Sequence, residues 1–127
     1  MREPGYDIAY DAQERVLHLH LWGFWSVPIL TGYTSRLMAE VTRLRGTRYD
    51  ILSHSQEFDV QGKLVSAGFE WIAKRGAEFH NGRTAIVAGS HLNRIQAQRT
   101  LSAPNVKVFL DEGEALAWIR EGRAAAA

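Results

Sequence analysis

Residues 16–22 read Val-Leu-His-Leu-His-Leu-Trp. The leucines alternate with two histidines and a tryptophan, which is the period-two pattern of a β-strand with one apolar face. Residues 6–10 predict a strand before it, and the polar link at 11–15 predicts an antiparallel hairpin. The alternation indicates that one face of this sheet is buried and the other is wetter.

Outward from the hairpin, helical and strand patterns alternate. Leu30, Tyr33 and Leu37 recur at helical spacing and predict a helix over about 27–44, with Ser26 as its N-cap. Later segments predict strands at 49–55, 83–88 and 106–110 and helices at about 59–76, 90–101 and from 111 onward. Asp59 is the expected cap of the second helix. The expected apolar side of that helix comprises Leu64, Ala67, Gly68, Trp71 and Ile72.

This element order predicts an α/β fold. We expect a five-stranded, mostly parallel sheet in the order ββαβαβαβα, with the first strand antiparallel and right-handed crossovers. The helices should lie mainly on one face, leaving the His18 and His20 side of the sheet open. The length of 127 residues fits a single domain, with an ordered core at about 6–121 and a fraying alanine tail at 124–127.

Composition excludes several classes of function. A net charge of +1, with both signs scattered, argues against a nucleic-acid partner. The longest apolar stretch, residues 19–30, is too short and too interrupted for stable membrane insertion, and the N-terminus lacks a signal-peptide core. The absence of cysteine excludes disulfides and thiolate metal sites and fits a cytoplasmic protein.

Two segments carry a family resemblance. Phe58-Asp59-Val60-Gln61-Gly62, and the ending VKVFLDEGEALAWI at 106–119, resemble the SpoIIAA-like or STAS group, the anti-sigma factor antagonist fold, and its uncharacterised bacterial members. The resemblance implies a non-enzymatic binding or regulatory module that acts through protein–protein interaction. Members that act as sigma-factor switches carry an Asp-Ser-Ser-Gly-like turn with a phosphorylated serine. Here Asp59 and Gly62 match but no serine is present, so no serine phosphorylation switch is expected at this turn.

The carboxyl ends of the parallel strands are the expected ligand edge of such a fold. The helix N-termini there offer backbone N–H groups to an anion. The commoner role of the polar side chains at these positions is to cap the helices. Since SEC14-type lipid carriers are fold relatives, a lipid-like ligand is a further alternative, in a pocket lined by Phe24, Trp25 and Trp71. The candidate crevice residues are Trp25, Ser26, Asp59, Gln61, Gly62, Ser90, His91 and Arg94.

The open sheet face is the second candidate site. Aromatic and histidine side chains on an uncovered face favour contact with another chain, and we expect a homodimer or another protein partner there. The alternative is that the chain's own N-terminus or loops cover this face. The expected interface residues are Tyr6, Tyr10, His18, His20 and Trp22.

Two groups of residues bear on metal and catalytic chemistry. His18 and His20, with His54 nearby, have the spacing of a Zn²⁺ chelate, but no acidic residue is obviously placed to help, so we assign no metal and no cofactor. Ser90, His91 and Asp59 suggest a hydrolase, but adjacent Ser and His usually diverge and the second glycine of a nucleophile elbow is missing. No catalytic residue is therefore predicted.

Overall fold

The computed structural model describes residues 2–79, 82–101 and 103–126. The order of elements is the predicted one. The strands are β1 (Gly5–Asp11), β2 (Val16–Gly23), β3 (Asp50–Phe58), β4 (Thr84–Ala88) and β5 (Val106–Phe109). The helices are α1 (Val27–Arg43), α2 (Lys63–Phe79), α3 (His91–Thr100) and α4 (Glu112–Ala126). None of these helices is both long and apolar enough to cross a bilayer.

The five strands form one sheet in the order β1-β2-β3-β4-β5. β1 pairs antiparallel with β2, and the later pairs are parallel, which confirms the predicted fold class. A register shift between His20 and Trp22 marks an irregularity where β2 meets β3. Because β2, β3, β4 and β5 run parallel, their carboxyl ends lie at one edge, called here the strand-end edge.

One face of the sheet is covered by α1, α2 and α3. The predicted stripe of α1 is confirmed, since Leu30, Tyr33 and Leu37 are buried against the leucines of β2. Ala97 of α3 and Leu101, the residue after the helix, pack against β4 and β5. Three helices thus follow their strands on the same side of the sheet, as expected for right-handed crossovers.

The fourth helix lies on the opposite face. Ala115 and Ile119 of α4 pack against Leu52, Ala85 and Val87. These residues of β3 and β4 point to the face of the sheet opposite α1, α2 and α3, called here the second face. The helices are mainly on one face as predicted, but the expectation that the whole other face is open is wrong. The physical reason is that β4 is apolar on both sides, so its second side also needs cover.

The second helix differs from its prediction. α2 begins at Lys63, so Asp59 precedes its first residue by four positions and is not its N-cap. Val65 and Phe69 are buried, whereas Leu64 and Trp71 are exposed. The apolar stripe is therefore shifted by about one residue from the predicted one. At the other end of the chain, α4 runs to Ala126, beyond the expected end of the ordered core, and Ala127 lies outside the described residues.

Candidate functional site

The strand-end edge is organised by the side chain of Gln61, which is 7% exposed. Its Oε1 accepts from the Trp25 backbone N–H at 2.7 Å, and its Nε2 donates to the carbonyls of Gly23 and Asp59 at 2.9 and 2.7 Å. The Gln96 side chain of α3 bonds both backbone groups of Gln61, at 2.9 and 3.0 Å. One buried amide thus ties together the β2–α1 loop, the β3–α2 loop and, through Gln96, helix α3.

Large apolar side chains stand exposed around this edge. Phe24, Leu64 and Leu92 are 56%, 72% and 64% exposed, which is high for residues of this size. They come from the β2–α1 loop and the first turns of α2 and α3. These three segments follow β2, β3 and β4, which are neighbours in the sheet. A Cβ at Gly62 would lie 3.6 Å from Phe24 Cζ, which shows how closely two of these segments approach. We call this set the strand-end surface: Phe24, Val27, Val60, Leu64, Leu92 and Ile95.

The structure divides the predicted crevice residues between core, caps and surface. Trp25 is 2% exposed and its ring centroid lies 5.0 Å from that of Tyr33 and 5.1 Å from that of Phe58, so it belongs to the core. The predicted pocket of Phe24, Trp25 and Trp71 is therefore wrong, because Trp25 is enclosed while the other two are exposed.

The predicted caps also behave differently from one another. Ser90 caps α3, since its Oγ accepts from Asn93 N–H at 3.2 Å, whereas the Ser26 side chain makes no capping bond to α1. His91 is exposed and Arg94 is half-buried, both in the first turn of α3. Gly62 lies just before α2, half-buried beneath Phe24. These positions do not by themselves indicate an anion-binding site.

An apolar cavity of about 180 Å³ lies between the sheet and the layer of α1, α2 and α3. Small side chains create it: Ser53 and Ser55 of β3 point inward, and Ala73 of α2 and Ala97 of α3 line the opposite wall. The two serine hydroxyls are buried and lie 3.0 Å from each other. This inner cavity was not predicted, because no single residue signals a space left by several small ones.

On the opposite face, three histidines meet. His20 and His54 are register partners in β2 and β3, and their rings stack with centroids 4.3 Å apart. His18 Nδ1 lies 2.9 Å from His54 Nε2. One ring nitrogen from each of His18, His20 and His54 lies within 4.8 Å of the others, and we call this group the histidine cluster.

Glu112, the first residue of α4, completes the cluster. Its Oε1 lies 2.8 Å from Nδ1 of His54, so the carboxylate accepts that nitrogen's proton in a hydrogen bond. The His54 tautomer then presents the Nε2 lone pair to His18. The expectation that no acidic residue is placed near these histidines is wrong. Glu112 is distant in sequence and reaches them only because α4 lies on this face.

Burial and repulsion between imidazolium charges favour the neutral forms of His18 and His54. Burial lowers the pKa of His18 below its usual value, and the nearby His20 charge lowers it further. Burial, followed by His20, likewise lowers the pKa of His54, although Glu112 acts in the opposite direction. Neutral imidazoles have free lone pairs, which is the form in which histidine binds metals.

The predicted interface residues are split between the two faces. His18, His20 and Trp22 share the second face, with Trp22 beside Arg2, whose guanidinium carbon is 3.6 Å from the indole centroid. Placing Tyr6 and Tyr10 on that face is wrong. β1 pairs Tyr6 with Leu21 and Tyr10 with Leu17, which places both tyrosines on the leucine face, packed against its core.

The architecture defines the class of protein: a mixed α/β sheet with three crossover helices on one side and a closing helix on the other. The particular fold is the SpoIIAA-like, or STAS, fold. The chain is similar to an uncharacterised protein of the DUF3478 family with a SpoIIAA-like fold from Shewanella loihica PV-4, with a TM-score of 0.71 and 16% identity over 94% of this chain and 97% of that one.

A second solved structure leads to the same fold. It is the anti-sigma factor antagonist SpoIIAA in its unphosphorylated form, with a TM-score of 0.67 and 16% identity over 92% of this chain and 97% of that one. No family model matches the chain, and the comparison with curated proteins gives no significant match. At this identity the similarity shows the fold, and function has to be argued from the sites.

Proposed function

We propose that the protein is a non-enzymatic, cytoplasmic STAS-like binding module of bacterial type that docks a protein partner on the strand-end surface. The observation that carries this proposal is the exposure of six large apolar side chains at one edge. Exposed apolar residues scattered singly are ordinary, but a group of them at one edge is typical of an interaction site.

The strand-end surface has the construction of an interface core. Its segments are held by the buried Gln61 amide, so little ordering is needed when a partner binds. Charged residues of both signs flank it, with Lys63 and Asp59 exposed beside the apolar residues. A polar rim around an apolar centre is the usual anatomy of protein interfaces. The similarity to an anti-sigma factor antagonist, a protein whose name implies a protein target, supports the same direction.

Gln61 also bears on regulation. It stands at one of the two positions of the turn where the switch proteins of this fold carry serine. Its side chain is fully engaged with Trp25, Gly23 and Asp59 rather than presented to solvent. We therefore propose that the module works without a serine phosphorylation switch at this turn.

Photo-crosslinking tests the docking surface. A photoreactive residue placed at Leu64 or Leu92 in the full chain should give discrete crosslinked species in the producing cells. The same residue at Gln13, exposed in the turn at the opposite end of β2, is the matched control and should give none. Crosslinks to a second copy of the chain would identify the partner as a homodimer. Equal labelling from all three positions would contradict the proposal.

A pair of substitutions makes the test quantitative. The double variant Leu64→Ser/Leu92→Ser should abolish crosslinking from Phe24, because it removes the most exposed apolar area of the surface. Trp71→Gln changes a half-exposed apolar residue farther along α2 and should leave crosslinking intact. Both proteins should keep the wild-type far-ultraviolet circular dichroism spectrum. Sedimentation velocity over a range of concentrations separates self-association from a different partner.

The inner cavity favours a second candidate function, the binding of a small apolar molecule. The cavity measures about 180 Å³. A cavity of roughly 150 Å³ is large enough to hold benzene. A ligand of one aromatic ring or a short acyl chain would fit this space.

Filling the cavity from the protein side tests this second function. Wild type should bind benzene or indole in calorimetry and should melt at a higher temperature in their presence. Ala73→Leu places a side chain in the cavity and should abolish that binding, whereas Ala117→Leu on the exposed side of α4 is the matched control. Binding that persists unchanged in Ala73→Leu would rule the cavity out as the ligand site.

A further inference from the structure

We propose that His18, His20 and His54 form a binding site for one Zn²⁺ ion, with Glu112 acting as a positioning residue for His54. This inference is independent of the proposed protein partner, because the histidine cluster lies on the opposite face of the sheet from α1, α2 and α3. The histidine cluster and Glu112 are not part of the strand-end surface.

The distances between the ring nitrogens are close to those of a filled site. Zn²⁺ binds imidazole nitrogen at about 2.0–2.1 Å, which in a tetrahedron separates the ligand atoms by about 3.3 Å. His18 Nδ1 and His54 Nε2 are 2.9 Å apart, a hydrogen bond in which His18 donates, so the His18 proton must move to its Nε2 before Nδ1 can bind the ion. One ring nitrogen from each of the three histidines lies within 4.8 Å of the others. His20 is exposed, so its ring can turn to close the remaining gap of at most about 1.5 Å.

The backbone holds these ligands in place. His20 and His54 are opposite each other across the β2–β3 pair, and His18 is two residues earlier on β2, so all three point to the same face. Sites on paired strands are held more precisely than sites on loops. The His20–His54 and His18–His54 rings stack nearly parallel, at 5° and 17°, so the side chains must rotate for their in-plane lone pairs to converge on one ion.

Glu112 prepares His54 for coordination. Its carboxylate holds the proton on His54 Nδ1, so the lone pair of His54 must be on Nε2, the nitrogen that faces His18. Metal-binding histidines almost always donate their second ring N–H to a carboxylate or carbonyl in this way. The contact between Glu112 and His54 is therefore typical of a metal site, whereas a simple stack of half-buried rings does not require it.

The donor set selects the ion. Three imidazole ligands without thiolates suit Zn²⁺, Cu²⁺ or Ni²⁺ rather than Mg²⁺ or Ca²⁺, which prefer oxygen. Three protein ligands leave one position for water or an anion, as in zinc sites that remain accessible. The cleft beside His20 and His54 is also lined by Arg2, Asp7 and Trp22, so an anion at that position would have a cation near it.

Calorimetry with the metal alone tests the site. Full-length protein without an affinity tag, stripped with a chelator, should bind one Zn²⁺ per chain, and Co²⁺ should give the visible absorption of a tetrahedral site. His18→Ala and His54→Ala should each weaken Zn²⁺ affinity by at least about 100-fold, since outer-shell partners alone contribute roughly 10–100-fold. His91→Ala removes an exposed histidine of α3 and should leave affinity unchanged.

The role of Glu112 has its own control. Glu112→Gln should weaken Zn²⁺ binding by about 10-fold or more while keeping the Co²⁺ spectrum tetrahedral. Glu114→Gln, an exposed carboxylate of the same helical turn, should have no effect. His20→Gln changes an exposed residue and keeps the test valid if a more buried variant unfolds. Absence of saturable binding, or binding retained in His20→Gln and His18→Ala, would overturn the proposal.

Discussion

The two faces of β2 differ in almost every respect although they alternate along a single strand. On one face Leu17, Leu19 and Leu21 are buried among the aromatic side chains under α1 and α2. On the other face His18 is half-buried and His20 is exposed, because the cover that α4 provides over β3, β4 and β5 reaches β2 at Val16, the start of the strand. The same backbone thus supports a closed apolar layer on one side and an accessible polar group on the other.

The two faces of β2 therefore have different roles: one contributes to stability and the other carries the groups that can bind a ligand. The leucine face supplies burial, and its aromatic cluster joins Tyr6, Trp25 and Tyr33 at centroid distances of 5.0–5.8 Å. The histidine face carries imidazoles whose loss removes little apolar burial. Substitutions that lower stability should therefore differ from those that alter ligand binding.

The largest expected effect breaks the leucine face. Leu17 is fully buried, so Leu17→Ala should lower the free energy of unfolding by about 3 kcal/mol through lost burial and a new cavity. His18→Ala, one residue further along and facing the other way, should cost less than about 1 kcal/mol. Urea denaturation followed by circular dichroism measures both. An equal decrease in the free energy of unfolding for the two variants would show that the leucine face does not contribute more to stability than the histidine face.

The next effect concerns how α4 is anchored at the far end of the histidine face. Asp50 is buried and its carboxylate accepts from Arg83 N–H at 2.8 Å and from Arg123 Nε at 2.9 Å. Arg123 also donates to the Glu14 and Arg15 carbonyls, so it joins α4 to the β1–β2 turn. Removing it leaves a buried carboxylate without its cation.

Arg123→Ala should therefore cost about 2 kcal/mol, somewhat less than a fully buried pair because Arg123 is 29% exposed and the Arg83 bond remains. Arg120→Ala, an exposed arginine of the same helix, is the control and should change stability by less than about 0.5 kcal/mol. Thermal unfolding of the two variants side by side makes the comparison. A loss as small as that of the control would mean that Asp50 is satisfied without Arg123.

Most of the fold could be predicted from local patterns. Alternation in β2 and the stripe of Leu30, Tyr33 and Leu37 in α1 are short-range signals that the structure confirms. The face chosen by α4 is different. No crossover rule fixes the side of a helix that follows the last strand, and only the two-sided apolar character of β4 indicates it.

The sites could be predicted less well, because they depend on residues distant in sequence. His18 and His20 were found from their spacing, but the partnership of Glu112 depends on the position of α4. Tyr6 was placed on the wrong face because β1 has no clear alternation, so only its pairing with Leu21 fixes its direction. The inner cavity arises from small residues on three elements and has no sequence signal of its own.

The smallest expected effect sharpens the contrast between the two ends of α4. Glu112 is about half exposed where it meets His54, unlike the buried Asp50 that meets Arg123. In metal-free protein, Glu112→Gln should lower the free energy of unfolding by less than about 0.5 kcal/mol, since solvent screens the pair and a neutral imidazole gives it little charge. A double-mutant cycle with His54→Ala measures the coupling between the two residues. A coupling above about 1.5 kcal/mol would show that the histidine cluster helps to hold α4, and that this face is a structural one after all.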